Sequence, residues 1–306
     1  MPAHAEDALA RLSDALVARA AAAGALVACV HAAGSGPRSG TLWRSDVVVA
    51  SEQVFPKTER AEIVFASGRR VAARVAGRDR GTNLVALRLD QPVEAALPAA
   101  AAPRLGEIAL AFSAGAGGDP MVRLGVVRGV GPAWHSLNGG RIDQRISLDL
   151  ALSRAEEGGP AVAVAGGLFG MTTAGPRGQA LVIPAATVER VLDPLLAHGR
   201  IERGWLGVAL HPVALPDAAR AELAKTEFAQ ERGLMVMQVA PAGPAAAAGV
   251  LAGDILVAVD ALPASHPRAI SRQFGADSIG KAVALRLLRS GAALTLTATV
   301  TARPAG

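Results

Sequence analysis

After Gly24 the chain breaks into short apolar runs at 26–30, 46–50, 61–65, 71–76, 84–89, 108–112, 122–127, 160–164 and 179–183, separated by Gly, Pro, Asp and Asn clusters. Runs of that length between turn residues have the rhythm of an all-β sandwich or barrel. The punctuation is dense, with 34 Gly and 19 Pro among 306 residues, which argues against a helical bundle or coiled coil. At 51% apolar residues the chain can bury cores, and its length suits two domains better than one. Disorder over most of the chain, collagen and a disulfide scaffold are excluded.

Two stretches depart from the strand rhythm. Leu9, Leu12, Leu16 and Val17 recur at helical spacing and predict an amphipathic helix over 5–23. At Pro184 the strand rhythm breaks again, and the runs 187–192 and 194–198 predict a second helix, with Thr187 placed to cap it and Gly199 to end it. Beyond Arg203, strand candidates at 205–210, 233–239, 254–259, 282–288 and 293–301 are interleaved with helical runs at 216–225 and 267–275. The expected organisation is a helix over 1–25, a β domain over 26–199 and a second domain over 200–306.

Basic residues number 31 against 26 acidic ones, and they are scattered rather than blocked. With no Tyr and three Trp there is no stacking platform for a nucleic acid, so none is expected as a partner. The single cysteine, Cys29, sits among Leu26, Val27, Ala28 and Val30 and reads as a small core residue, with His31 expected to point the other way. The apolar stretch 15–30 is interrupted by Arg19 and preceded by Asp7, Arg11 and Asp14, too short and too charged to span a bilayer. Acids among those bases also do not fit a secretory signal, so a cytoplasmic chain is expected. No cofactor and no metal site are expected.

Six segments carry a resemblance. They are Ser39-Gly40-Thr41-Leu42-Trp43; the run 76–89, which contains Thr82-Asn83-Leu84-Val85; Gly158-Gly159-Pro160; Val182-Ile183-Pro184-Ala185; Arg203-Gly204-Trp205-Leu206-Gly207-Val208; and the run 241–256, which ends Gly253-Asp254-Ile255-Leu256. In this order and spacing the chain resembles the HtrA family of trypsin-fold serine proteases. The resemblance implies a mainly β chain: a trypsin-like double six-stranded β-barrel followed by an α+β PDZ domain, with an N-terminal helix.

It also implies three triad positions, and each holds an unexpected residue. The family's His falls at Gln53, an amide that cannot serve as a general base near neutral pH. The family's Asp falls at Asn83, and the Ser of Gly-Asn-Ser-Gly-Gly-Pro falls at Glu157 in Ala155-Glu156-Glu157-Gly158-Gly159-Pro160. The oxyanion-hole Gly becomes Ala155. A carboxylate at 157 attacks amides poorly, and its charge would repel a developing oxyanion. Of the six His, only His31 and His135 lie in the protease-like part, neither in the expected loop, and Ser153 is the nearest hydroxyl in sequence to Glu157. Glu156 and Glu157 are expected to diverge as a solvated or backbone-bound pair, or Glu157 to plug the old oxyanion hole by accepting backbone N–H groups.

The expected function is therefore a proteolytically inactive HtrA-like pseudoprotease, not an enzyme. It would act as a scaffold, chaperone-like binder or regulator in protein quality control. The alternative is an HtrA-type serine endopeptidase with a non-standard site. PDZ domains bind extended peptides, often C-termini, by strand addition beside a carboxylate-binding loop. That loop resembles Gly204, Trp205, Leu206, Gly207 and Val208, with Arg203 adding positive charge and Ile270 and Phe274 lining the far wall. The partners implied are peptide or protein C-termini, an active protease paralogue and, from the family, further copies of the chain in a trimer.

Overall fold

The computed structural model describes residues 2–94, 102–165, 167–224, 226 and 228–304. The chain forms two compact units, one running through Ile201 and the other beginning at Glu202.

In the first unit helix α1 (Pro2–Gly24) leads into β1 (Val27–Ala32), β2 (Arg38–Arg44), β3 (Val47–Ser51), β4 (Arg60–Phe65), β5 (Arg70–Asp79) and β6 (Leu84–Leu89). These close into an antiparallel barrel in the order β1-β2-β3-β6-β5-β4. A second barrel contains β7 (Ile108–Ala114), β8 (Pro120–Gly131), β11 (Arg145–Ala151), β12 (Pro160–Ala163), β13 (Leu168–Ala174) and β14 (Gln179–Pro184). Its order is β11-β14-β13-β12-β7-β8, with a two-stranded ribbon of β9 (Trp134–His135) and β10 (Arg141–Ile142) inserted. Two six-stranded barrels with few helices bear out the mainly β reading. The apolar runs missed β2, β11 and β13; β2 opens on Arg38, Ser39, Gly40 and Thr41 before its apolar Leu42 and Trp43. In β11, buried Ile146 and Leu148 alternate with polar neighbours, and β13 dilutes its apolar residues with Gly170, Thr172 and Thr173.

The barrel strands read as unbroken apolar runs because several are buried on both faces. Along β3, Val48 and Ala50 point into the first barrel's own core, while Val47 and Val49 face a second apolar layer. Along β7, Ala109 and Ala111 fill the second barrel and Leu110 and Phe112 join that same layer. The shared layer is completed by Val188, Val191, Leu192 and Leu195 of helix α2 (Ala185–His198), so the two barrels and α2 bury one another. Trp43 and Arg44 of β2 pin this helix, with the Trp43 indole donating to Glu189 at 2.5 Å and the Arg44 guanidinium reaching Asp193 at 2.6 Å.

Three local expectations are corrected. Helix α1 packs through Leu16, Ala20 and Ala23, leaving Leu9, Leu12 and Val17 exposed, because a close approach to the barrels favours the smaller side chains. Thr187 does not cap α2. The N-cap is Pro184, and Thr187 is buried within the helix with its hydroxyl donating to Asp143 at 2.9 Å. Gly199 does end α2, in the left-handed conformation at φ 73°. Finally, Cys29 and His31 share a face of β1, as residues two apart on a strand must, with Sγ 3.3 Å from Nε2. Burial still pushes the Cys29 thiol up, so the thiolate form is disfavoured.

The second unit is built on an antiparallel sheet in the order β16 (Val208–Ala214), β17 (Arg232–Val239), β18 (Ile255–Val259), β20 (Ala282–Arg289) and β21 (Ala292–Thr299). Short strands β15 (Gly204–Trp205) and β22 (Thr301–Ala302) pair with each other, and β19 (Leu262–Pro263) pairs with β18. Helices α3 (Asp217–Leu223), α4 (Pro244–Ala247) and α5 (Pro267–Ser271) complete it. Strand β16 ends the sheet, so among the described residues one of its edges has no strand partner, and α5 packs against it.

A buried carboxylate fixes the turn into β18. Asp254, 2% exposed, accepts both Nε and Nη2 of Arg289 at 2.8 Å and the Leu251 N–H at 2.8 Å. The Arg289 guanidinium holds this carboxyl below the usual Asp range, outweighing the upward push of burial, and the Leu251 N–H assists. A depressed folded-state pKa gives stability that is present above the unfolded value, about 3.9, and lost as pH falls through the folded one. Asp254→Asn is accordingly expected to cost about 2 kcal/mol at pH 7. Its difference from the parent should shrink steadily below about pH 4. Urea unfolding of both chains at pH 7 and pH 3 checks this, and an equal gap at the two values would refute it.

Candidate functional site

Strand β3 ends at Ser51, and a single 3-10 turn over Glu52–Val54 carries Gln53 to the rim of the first barrel. Asn83 stands just before β6 in the left-handed region at φ 60°, which Asn tolerates better than most residues. Glu157 lies in the turn before β12, and Thr173 near the end of β13. The structure brings all three predicted positions together, with side chains supplied by both barrels.

Glu157 is the hub. Its Oε2 accepts from Gln53 Nε2 at 2.5 Å, from the Ser51 hydroxyl at 2.9 Å and from the Thr173 hydroxyl at 3.2 Å. Asn83 supports this arrangement from behind. Its Nδ2 donates to Ser51 Oγ at 3.0 Å and to Thr173 Oγ1 at 2.8 Å, while its Oδ1 accepts the Gln53 backbone N–H at 2.7 Å. Glu157 is only 2% exposed, and charge-assisted bonds from three donors offset much of the cost of burying its carboxylate. The donors are side chains, so the expected plug of backbone N–H groups does not form.

Of these residues Gln53 and Glu157 border a pocket of about 300 Å³, lined also by Leu152, Arg154, Ala174 and Gly178 among others. Every described hydrogen bond to the Glu157 carboxylate falls on Oε2. Among the described residues, the sealed side-chain polar atoms without a partner are Trp134 Nε1 and Gln230 Oε1. Glu157 itself lines the pocket.

Glu156 points elsewhere, as expected of the neighbouring acids, but it is not solvated. It is 9% exposed and accepts from Arg123 Nε at 2.6 Å and from the Ser153 N–H at 2.8 Å. Burial would push its carboxyl up; Arg123 and Ser153 together hold it below the ordinary range. The Ala155 carbonyl accepts the Ser39 hydroxyl at 2.9 Å and the Ser39 N–H at 3.2 Å, tying the turn to the first barrel. Ser153 is not the hydroxyl closest to the acid: Ser51 and Thr173 are, and neither was singled out from the sequence. Their signal was a hydroxyl closing the run Val47-Val48-Val49-Ala50 and a threonine pair inside an otherwise apolar strand. Among the described residues no imidazole lines the pocket. His31 meets the Ala116 carbonyl at 3.1 Å, and His135 lies on β9. Among the described residues no group of three or more metal-ligating side chains occurs, and no helix is long and apolar enough to cross a membrane.

In the second unit Gly204 and Trp205 form β15, and the Gly204 N–H donates to the carbonyls of Phe274 and Gly275. The Arg203 carbonyl accepts the Arg303 N–H at 3.0 Å. Gly207 has φ 80°, and Val208 opens β16. Ile270 and Phe274, 3% and 8% exposed, pack into the unit's core with Leu206, so most of their surface is already committed.

Comparison with known proteins gives these geometries a context. Residues 38–171 match the trypsin-like peptidase domain, and residues 204–300 match the PDZ domain. A relative in Brucella suis biovar 1 (strain 1330), named probable periplasmic serine endoprotease DegP-like, is 31% identical over 267 residues, 84% of this chain and 50% of its own. The periplasmic serine endoprotease DegP of Escherichia coli (strain K12) is 28% identical over 254 residues, 80% of this chain and 52% of its own. The chain thus spans about half the length of these relatives. Among solved structures, the HtrA-type protease AlgW with a decapeptide superposes with a TM-score of 0.69 at 25% identity, over 94% of this chain and 99% of that one. AlgW with a tripeptide gives 0.68 at 27%, over 94% and 98%.

Two expectations are overturned by these findings. The inactive, non-enzymatic pseudoprotease reading fails against relatives named as endoproteases over four-fifths of the chain. That reading equated the loss of Ser, His and Asp with loss of chemistry, yet the pocket keeps a carboxylate and an amide, with two buried hydroxyls bonded to the carboxylate. The cytoplasmic expectation fails because the same relatives are named periplasmic, and the charge order of the first thirty residues does not decide where a chain acts. The barrels, the domain matches and the solved relatives agree: the chain is an HtrA/DegP-like, trypsin-fold protein with a C-terminal PDZ domain.

Proposed function

We propose that this chain is an HtrA-type endopeptidase of the periplasm that cleaves polypeptides with a non-standard site in a domain over 26–199. A PDZ domain over 200–306 engages the peptide. The observation that carries the reading is the pocket between the barrels: two of the triad positions, Gln53 and Glu157, line it and are hydrogen-bonded to each other, in a chain whose relatives are named endoproteases. The full chain is expected to cleave unfolded casein progressively, with activity co-eluting with the protein through two chromatographic steps. Casein left intact after prolonged incubation would overturn the reading.

For the second domain, the unpaired edge of β16 facing α5 supports strand addition, and the loop 204–208 supports carboxylate capture. Solved AlgW structures carry peptides, which agrees with a peptide as ligand. A fluorescent peptide with an apolar, free C-terminus should bind the full chain, and amidating that terminus should weaken binding tenfold or more in an anisotropy titration. Equal affinity of the two peptides would remove the carboxylate from the account. Homotrimer formation and mixed assembly with a paralogue rest on resemblance alone, and light scattering of the purified chain and co-purification from the native source test them.

A further inference from the structure

The donors to Glu157 are arranged asymmetrically. Ser51, Gln53 and Thr173 all bond Oε2, no described hydrogen bond falls on Oε1, and Glu157 lines the pocket. Ser51 is wholly buried and Thr173 nearly so, and both direct their hydroxyl protons to the acid, so neither is placed to attack a substrate. Gln53 lies exposed at the rim, and its two Nε2 protons serve three acceptors: Glu157 Oε2, Thr173 Oγ1 at 3.1 Å and the Ala174 carbonyl at 3.1 Å. One of those protons is shared and free to move to a stronger acceptor.

From this arrangement, and resting on the endopeptidase reading, we propose that the Glu157 carboxylate is the general base that activates water against the scissile amide, with the Gln53 amide as the oxyanion donor. The water oxygen bonds to the carbonyl carbon while one water proton passes to Glu157 Oε1. The carbonyl π pair moves onto its oxygen, which Gln53 Nε2 stabilises by exchanging its bond to the Ala174 carbonyl for one to the oxyanion. Collapse re-forms the carbonyl and breaks the C–N bond. Glu157 then returns its proton to the leaving nitrogen, giving an acid, an amine and the original carboxylate. The base is neutral while the oxyanion exists, so the charge repulsion that disqualifies a carboxylate as nucleophile does not arise.

The test uses the full chain and a quenched-fluorescence peptide derived from casein, with Glu157→Gln, Gln53→Ala and a fluorophosphonate probe. Glu157→Gln is expected to lower kcat a thousandfold or more. Gln53→Ala is expected to lower kcat ten- to a hundredfold with KM little changed. The parent should resist fluorophosphonate, and acid-quenched mass spectrometry should show no acyl adduct. Adduct formation, inhibition by fluorophosphonate, or parental kcat in a folded Glu157→Gln chain would each overturn the proposal and leave the endopeptidase reading standing. Should Glu157→Gln fail to fold, Gln53→Ala and the adduct measurement decide. A parent chain that leaves casein uncut defeats the endopeptidase reading, and this proposal with it.

Discussion

Gly158→Ala is expected to cost the first unit more than about 3 kcal/mol, enough to leave it largely unfolded or insoluble. Gly158 sits at φ 103°, where side chains are strained, and an added Cβ would lie 2.2 Å from the Ser39 carbonyl oxygen and 3.2 Å from the Ser51 nitrogen. Both are backbone atoms of barrel strands and cannot swing aside. Gly159 is as tight, with its Cβ position 1.9 Å from the Phe112 carbonyl oxygen. Gly34 provides the control: it has a similar conformation at φ 79° but open space around it, so Gly34→Ala should cost only about 1 kcal/mol. Thermal unfolding by circular dichroism separates the two. A Gly158→Ala midpoint within a few degrees of Gly34→Ala would show that the turn can shift to accept a methyl group.

Glu157→Ala carries the second largest effect, an expected loss of about 3 kcal/mol, against about 1 kcal/mol for Glu157→Gln. Alanine leaves the buried Ser51 and Thr173 hydroxyls facing a void, and donors stripped of a buried acceptor bear the full cost of their desolvation, while exposed Gln53 keeps its other acceptors. Glutamine keeps an oxygen where Oε2 stood and fills the same volume. Urea unfolding of the three chains measures the difference. Equal stability of parent and Glu157→Ala would mean that these donors find other acceptors on folding, and that the carboxylate's burial brings no net gain.

The β architecture was legible because barrel strands buried on both faces, such as Val47–Ser51 and Leu84–Leu89, leave uninterrupted apolar runs. Gly158-Gly159-Pro160 was legible for a steric reason, since the approach of Ser39 and Phe112 admits nothing larger than glycine. The composition of the site was visible at Gln53, Asn83 and Glu157, but its chemistry was not. What those residues do depends on Ser51 and Thr173, which lie 106 and 16 positions from Glu157 in sequence and converge only when the barrels pack. Helix α1 and Thr187 were misread for a related reason. Periodicity shows which face is most apolar, and capping preference shows which residue suits a terminus. The close approach of a neighbour at Ala20 and Ala23, and the distant partner Asp143, are tertiary facts.

The carboxylate at the centre of the pocket is held by groups drawn from both halves of the first unit: Ser51 and Gln53 on one side, Thr173 on the other. It therefore behaves as a rivet through a seam. A fragment holding either barrel alone would expose the apolar layer along Val47, Val49, Leu110 and Phe112, and would also sever the acid from part of its hydrogen-bond donors. The two halves cannot be inherited, truncated or swapped as separate working pieces.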